Sequence, residues 1–179
     1  VHPLTDAVAG TYGTAIPWPG AVKIALSPEG EEMKFFADDS VYYAQNSNNG
    51  FSGDWESAKI PTEVETQILG YLVDATNGIR VERADAPVVP FAMTFEVMGD
   101  KMKRRYVLYN VMMGRPNIEY DTKGESVEVK TVTAPITVMP IQYKDNYITS
   151  GHIEPNETNA AMFDAFLTSV KMPDATVGA

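Results

Sequence analysis

The sequence predicts a mainly β protein: an antiparallel β-sandwich or open barrel with a flanking α-helix and a short C-terminal helix. Alternating apolar and polar residues recur in six to eight short runs, and turn-forming residues join one run to the next. Only two segments have the apolar spacing of a helix, so the strands are not arranged in βαβ units. The length of 179 residues fits one domain, 1–179.

Residues 91–113 are predicted to form the central hairpin. From Phe91 to Val97 large apolar residues alternate with smaller or polar ones, which is typical of a strand with one buried face. Gly99 and Asp100 supply the turn. In the return strand one face carries Tyr106 and Leu108, and the other carries Val107, Tyr109 and Val111. A strand that is apolar on both faces should lie near the middle of a sheet with other layers packed on it.

The first 19 residues predict an irregular N-terminal arm (1–19). Several Gly and Pro residues interrupt any strand pattern there, and His2 is expected at a flexible surface position. Tyr12, Ile16 and Trp18 give the arm enough apolar surface to dock on its own domain or on a neighbouring subunit.

A long hairpin is predicted over residues 27–60. It follows a first strand at 22–26 and begins with a turn at 27–30. Its polar, turn-forming tip is expected at 45–50. The strands on either side carry more aromatic residues than an exposed hairpin needs. The hairpin should therefore fold onto its own core or bury its apolar face on a partner.

The clearest helix is predicted over residues 61–70. Thr62 and Glu65 have the spacing of a capping box, and Gly70 is placed to end the helix. Its apolar stripe is expected to contain Val64, Ile68, Leu69 and Leu72. This helix should lie across an edge or face of the sheet.

A further strand is predicted over residues 127–138, where Pro135 and Pro140 favour an edge or a bend. The C-terminal helix is predicted over 156–171, with Asn156 or Thr158 as its cap. Its apolar stripe would contain Phe163, Phe166, Leu167 and Val170. Residues 174–179 read as a loose tail.

Composition and motifs argue against an enzyme and against a cofactor. The chain has no cysteine, and neither His2 nor His152 has the spacing of a metal ligand. It also lacks the glycine-rich phosphate loops and the nucleophile motif of known enzyme classes. The net charge of −10 disfavours tight binding of DNA or RNA, although nucleic acid can pass an acidic wall without sticking. No apolar run of membrane-spanning length and no leader peptide are visible.

An ordered set of segments resembles the major tail tube proteins of long, non-contractile-tailed bacteriophages. These segments are GAVKI at 20–24, SPE at 27–29, FADDS at 36–40, IPTEV at 60–64, LG at 69–70, RYVLY at 105–109 and EYDTKGE at 119–125. The resemblance covers residues 10–140 and extends weakly to the final helix.

The resemblance implies a virion structural protein that is made in the host bacterial cytoplasm. Its β-sandwich with a flanking helix would assemble into stacked hexameric rings that form the tail tube. Such a tube encloses a tape-measure protein, meets tail terminator and distal tail proteins at its ends, and conducts DNA into the host without tight binding. The 27–60 hairpin resembles the family's extended loop, which mediates contacts between subunits or rings. The family has no catalytic residues to carry over.

Seven residues are candidate assembly contacts on this reading: Asn46, Asn48, Phe51 and Trp55 of the hairpin, Trp18 of the arm, and Arg104 and Arg105 of the basic cluster at 101–105. Such a cluster is usually solvated, but it also suits an acidic neighbour. We expect Asp and Glu to line the bore of the tube. Two alternatives stay open: a β-sandwich binding or adhesin module on a phage or bacterial surface, and the tube protein of a contractile tail or injection apparatus.

Overall fold

The structure, a computed structural model, describes residues 1–37, 40–117 and 130–173, with residues 32–46 described through their backbone alone. The described part is mainly β, with antiparallel sheets and two small helices, as predicted. The predicted start of the 127–138 strand, the EYDTKGE segment and the C-terminal tail lie outside the described residues.

Strands dominate the described chain. They are β1 (His2–Asp6), β2 (Thr11–Tyr12), β3 (Ala21–Glu29), β4 (Glu32–Ala37), β5 (Ser40–Asn46), β6 (Gly50–Ser57), β7 (Leu72–Val73), β8 (Arg80–Val81), β9 (Phe91–Glu96), β10 (Arg105–Met113), β11 (Val132–Val138), β12 (Ile141–Tyr143), β13 (Asn146–Ile148) and β14 (Ser150–Ile153). The helices are α1 (Thr62–Gln67) and α2 (Ala160–Ala165). Five of the strands have only two or three residues, too short for an alternating pattern to predict.

One eight-stranded sheet forms the centre of the fold. Its order is β2-β1-β9-β10-β11-β6-β3, and β14 also pairs with β10. The long strand β10 has β9 along one side. On its other side it pairs first with β14, at Arg105–Leu108, and then with β11, at Val111–Met113. The predicted central position of this strand is therefore confirmed.

A β-bulge in β10 changes the predicted faces. Leu108 pairs with Met93 and Val111 pairs with Phe91, so β10 has one residue more than β9 between these points. An extra residue reverses the alternation of side chains. Val111 therefore shares a face with Leu108, and its predicted grouping with Val107 and Tyr109 is wrong.

Two apolar clusters cover the two faces of the main sheet. The larger one lies under α1 and contains Val64, Ile68, Leu69, Trp55, Phe91, Met93, Leu108, Val111, Met113 and Ile136, among others. The smaller one contains Val107, Tyr109, Ile141 and Phe166, with Leu4, Ile148, Ile153, Val170 and Met172 packed against it. The sheet thus has α1 on one side and the β12–β13 hairpin with the C-terminal segment on the other.

The N-terminal arm is more regular than predicted. Strand β1 pairs with β9, so the prediction that this arm lacks regular pairing was wrong. His2 is only 1% exposed, so its predicted surface position was also wrong. Beyond β2, Ile16 is buried in the larger cluster and its N–H donates to the carbonyl of Val1 (2.7 Å). The sequence HPLTD gives little strand signal, and it becomes a strand because β9 has an open edge to pair with.

The 27–60 hairpin consists of two successive antiparallel pairs, β3 with β6 and β4 with β5. Strand β3 continues to Glu29, so the predicted turn at 27–30 is wrong; β3 is an edge strand, which tolerates Pro28. The predicted tip at 45–50 is also wrong. The hairpin reverses between Ala37 and Ser40, and residues 47–49 lie where β5 meets β6.

Both helices are shorter than predicted, and neither has the predicted side-chain cap. Helix α1 has Pro61 at its N-cap without a side-chain cap, so the Thr62–Glu65 capping box is wrong. Gly70 (φ 72°) follows it as predicted, but Leu72 is exposed in β7. Helix α2 covers only Ala160–Ala165 of the predicted 156–171.

At α2 the candidate cap residues lie ahead of the helix. Asn156 accepts hydrogen bonds from the N–H groups of Thr158 and Asn159, both 2.9 Å, and forms a turn there. Phe166 and Val170 lie beyond the helix but still pack into the smaller cluster. Two of the four predicted stripe residues, Phe166 and Val170, are thus in an apolar cluster, whereas Phe163 contacts the Arg105 guanidinium.

Candidate assembly surface

The β4–β5 arm joins the main sheet through a neck, formed by residues 29–31 and 47–50. The N–H of Ser47 donates to the carbonyl of Glu31 (3.1 Å), and Ser47 Oγ accepts from the Glu31 N–H (2.9 Å). Gly50 has φ 106°, and a Cβ there would collide with a backbone carbonyl of β11. The neck therefore holds the base of the arm in a defined place on the sheet.

Three of the predicted contact residues belong to the neck or border it. Asn46 is the last residue of β5. Asn48 is exposed, and its Oδ1 accepts a backbone N–H two residues on (3.1 Å). Phe51 is half-buried against the larger cluster and lines a groove of ≈ 510 Å³ with Glu29 and Glu31. Phe51 with its two acidic neighbours forms the part of this region that is both apolar and accessible.

Trp18 and Trp55 pack against each other, with Trp55 buried and Trp18 half-buried. Their ring centroids are 5.6 Å apart and their planes meet at 77°, an edge-to-face contact. Trp55 is 5% exposed, and Trp18 Nε1 donates to the carbonyl of Lys59 (3.0 Å). Both indoles are used within the chain, and Trp55 offers a neighbouring subunit almost no surface.

Arg104 and Arg105 also have partners within the chain. Arg104 Nε donates to Asp100 Oδ2 (2.8 Å), and the hydrogen bonds from Arg104 and from a backbone N–H lower the pKa of Asp100 to about 2. Arg105 Nε donates to Glu96 Oε2 (3.1 Å), Nη1 donates to the carbonyl of Phe163, and the guanidinium lies 4.1 Å from the centre of the Phe163 ring. Arg105 thus holds α2 against the main sheet.

The two histidines do not form a metal site. His2 Nε2 lies 3.3 Å from Thr94 Oγ1, which donates to the carbonyl of Leu167 (3.3 Å). Burial, with repulsion from the amino terminus, lowers the pKa of His2 to about 4. His152 packs beside the ring of Tyr106. Across the described ranges no three His, Asp or Glu side chains are arranged to hold a metal ion.

Strand β3 forms one edge of the main sheet and β2 the other. The nine residues of β3 are exposed except Ile24 and Leu26, which pack on the larger cluster. In the part of the chain that the structure describes, no strand pairs with the outer side of β3. Such an edge can add a strand from another chain, although Lys23 and Pro28 restrict which strand fits.

A cleft of ≈ 650 Å³ opens between the end of α1 and β11. Ile60, Leu69 and Tyr71 form its apolar part, and Lys59 and Glu65 are among its charged residues. Its volume and mixed lining would suit a small ligand or a peptide side chain.

Two further surfaces expose apolar side chains. One is the apolar ribbon, which we define as residues 72–81 with strands β7 and β8. The other is the basic turn, residues 97–104, whose cations belong to the cluster predicted from sequence and whose exposed Met98 and Met102 the sequence did not single out. For the ribbon, Asn77-Gly78 between apolar residues is the sequence signal for a hairpin.

No family model, curated protein or solved structure matches the chain. Among the described residues, no helix has both the length and the apolar character needed to span a membrane.

Proposed function

We propose that this chain is the structural subunit of a bacteriophage tail tube of the long, non-contractile class. Copies would polymerise as stacked hexameric rings in the virion, enclose a tape-measure protein and conduct the genome during delivery. The segment resemblance suggests the family, and the structure supplies features that a polymerising subunit needs.

The β4–β5 arm is the observation that carries this proposal. It forms a two-stranded sheet separate from the main sheet. A two-stranded ribbon is marginally stable alone in water and gains stability when it packs against another element. Its sequence includes Phe35, Phe36, Tyr42 and Tyr43, which is more aromatic content than a solvated ribbon requires. A neighbouring copy would supply a packing surface for these aromatic residues.

The open edges of the main sheet support the same proposal. Strands β3 and β2 are different in length and sequence, so a contact between them would be heterologous, with unlike surfaces meeting. Heterologous contacts close into rings when the rotation between copies allows it. A ring would also remove the exposed edges, which otherwise favour uncontrolled aggregation.

Charge fits the conduit role. A subunit of net charge −10 gives a ring of six copies a strongly acidic character. Acidic walls repel phosphate, so DNA would pass without sticking.

The cleft beside α1 favours the second candidate function, a β-sandwich binding or adhesin module. Its volume of ≈ 650 Å³ lies within the range of ligand sites. A binding module would remain monomeric at high concentration and bind its ligand through Tyr71 and Leu69. Tube formation distinguishes the two candidates.

Removal of the arm tests the proposal. Because the Glu31 carbonyl and the Ser47 N–H are hydrogen-bonded, an Asn-Gly turn can replace residues 32–46 between them. We expect this variant to keep a cooperative unfolding transition, while negative-stain electron microscopy shows no rings or tubes. Tyr147→Asp, at a site 74% exposed in β13, outside the arm and both edge strands, is the control and should assemble like the unmodified chain.

Two results would contradict the proposal. Tubes from the armless variant at normal yield would remove the role of the arm. Unmodified protein that stays monomeric at high concentration, even when purified tail initiator complex is added, would reject the tail tube function itself.

A further inference from the structure

The basic turn exposes apolar and cationic side chains together. Met98 is 97% exposed, and Val97 and Met102 are also exposed. Residues 97–104 contain three cations and one carboxylate, a net charge of +2 in a chain of −10. The turn is also held in shape, because Asp100 accepts hydrogen bonds from the Met102 N–H (3.0 Å) and from Arg104 Nε (2.8 Å). A surface that is rigid before contact loses less entropy when it binds.

The apolar ribbon has the opposite charge environment. Leu72, Val73, Ile79 and Val81 are all exposed, and they lie on both faces of a hairpin with two-residue strands. Residues 63–85, which include the ribbon and most of α1, carry five carboxylates and two arginines, a net charge of −3; within the ribbon itself Asp74 and Arg80 balance each other, so the excess negative charge lies in its flanks. The hairpin is closed by hydrogen bonds from the Asp74 N–H to the Ile79 carbonyl and from the Gly78 N–H to the Asp74 carbonyl, both 2.8 Å.

The two surfaces lie at opposite ends of the central strands. The basic turn joins the end of β9 to the start of β10. The ribbon continues into Glu82, which forms an ion pair with Arg115 (3.0 Å), two residues beyond the other end of β10. Nine residues of strand separate these ends by about 27 Å. One chain therefore cannot bring its own basic turn onto its own ribbon.

We propose that the basic turn of one copy of this chain docks on the apolar ribbon of the next copy. The occupant is a second copy because the two surfaces are complementary: both expose apolar side chains, the basic turn has a net positive charge, and the residues that flank the ribbon have a net negative charge. Complementary charge selects the partner and its orientation. Unlike surfaces at opposite ends make a contact that repeats along the strand direction, as stacking of subunits requires. This inference rests on the proposed function, for which it names the stacking surfaces.

Cysteine cross-linking tests this contact directly, because the chain has no cysteine of its own. Met98→Cys and Ile79→Cys are made as separate proteins, mixed and briefly oxidised, and disulfide-linked dimers are measured on non-reducing gels with mass spectrometry. We expect the mixture to give at least tenfold more heterodimer than a control mixture of Val8→Cys with Ile79→Cys. All three sites are exposed, so random collision contributes similarly to both mixtures.

A charge-exchange pair gives a second readout. Met98→Asp places a carboxylate on the apolar ribbon and beside its acidic flanks, so we expect tube number to fall at least tenfold in electron micrographs. Ile79→Lys on the ribbon, combined with Met98→Asp in the same chain, should restore tubes to within a few fold of the unmodified protein. Unfolding curves of each variant should match the unmodified chain, because both sites are exposed.

The outcomes separate this contact from the proposed function. Tubes from unmodified protein, with no more cross-linking in the Met98–Ile79 mixture than in the control, would overturn the contact and leave the tail tube proposal standing. Absence of any assembly by the unmodified protein, even with purified tail initiator complex, would overturn the tail tube proposal. In that case the cross-linking ratio alone decides whether copies meet through these surfaces.

Discussion

Replacement of Arg105 by Met should loosen the C-terminal segment from the main sheet. The Arg105 side chain is 17% exposed and bridges β10, β9 and α2 through Glu96 and Phe163. Methionine keeps the length and apolar stem of the side chain but removes the charge and the hydrogen-bond donors. The variant therefore reports on the polar contacts without a large change of volume.

The expected loss follows from three contacts. A hydrogen bond from a charged donor to the Phe163 carbonyl contributes about 1.5–3 kcal/mol. The guanidinium over the Phe163 ring adds about 0.5–1 kcal/mol. The ion pair with the half-exposed Glu96 adds less than about 1 kcal/mol. Since the three contacts share one side chain, we expect the free energy of unfolding to fall by about 2–4 kcal/mol.

Urea unfolding measures this loss, and hydrogen exchange locates it. Amide protection should fall most in residues 160–172, which Arg105 holds in place. Lys101→Met, in the neighbouring basic turn, is the control and should change stability by less than about 0.5 kcal/mol. Unchanged stability of Arg105→Met would refute the intramolecular role. Lost assembly at unchanged stability would instead support Arg105 as a contact between subunits.

Three further substitutions test the fold. His2→Gln should reduce the loss of stability on acidification. Burial lowers the pKa of His2 from 6.5 to about 4, so between these pH values the unfolded chain binds a proton that the folded chain does not. The contribution of neutral His2 to the free energy of unfolding is therefore complete above pH 6.5 and falls by about 3 kcal/mol as the pH decreases to 4. Gly50→Ala should cost about 3 kcal/mol, whereas Gly78→Ala, with positive φ but open space around it, should cost about 1 kcal/mol. Ile68→Ala should cost about 2–5 kcal/mol because Ile68 is fully buried, and exposed Ile79→Ala should change stability by less than about 0.5 kcal/mol.

Each of these tests has a clear contrary result. Identical pH dependence of the His2 variant and the unmodified chain would show that this histidine can be protonated in the fold. Equal losses of stability for the two glycine variants would mean that the positive φ alone makes alanine unfavourable at position 50, and that the collision with the β11 carbonyl adds nothing. Equal losses for the two isoleucine variants would contradict the packing of α1 on the sheet.

Part of the candidate surface could be predicted from sequence, because local patterns specify local geometry. The alternating, aromatic-rich runs within 27–60 predicted strands there, and β4, β5 and β6 confirm strands in that range, whereas the tip predicted at 45–50 was wrong. The place where the chain reverses was not predictable, since register depends on how β3 pairs with β6 and β4 with β5. Trp18 and Trp55 show the same dependence on tertiary structure. The sequence identifies them as large apolar residues that could form contacts, but only the packing of the folded chain shows that they contact each other.

By itself, the sequence determined the mainly β class of the fold, the two-sided apolar character of β10, and the burial of Val64, Ile68 and Leu69 in the first helical segment and of Phe166 in the second. These features follow from the alternation and spacing of apolar residues, which are properties of the sequence and do not depend on tertiary contacts. Tertiary structure alone decided the bulge that moves Val111 to the other face, the burial of His2 and the partners of Arg105. Each of these depends on residues distant in sequence, and the free energy of a buried or paired group is set by the neighbours that folding brings to it.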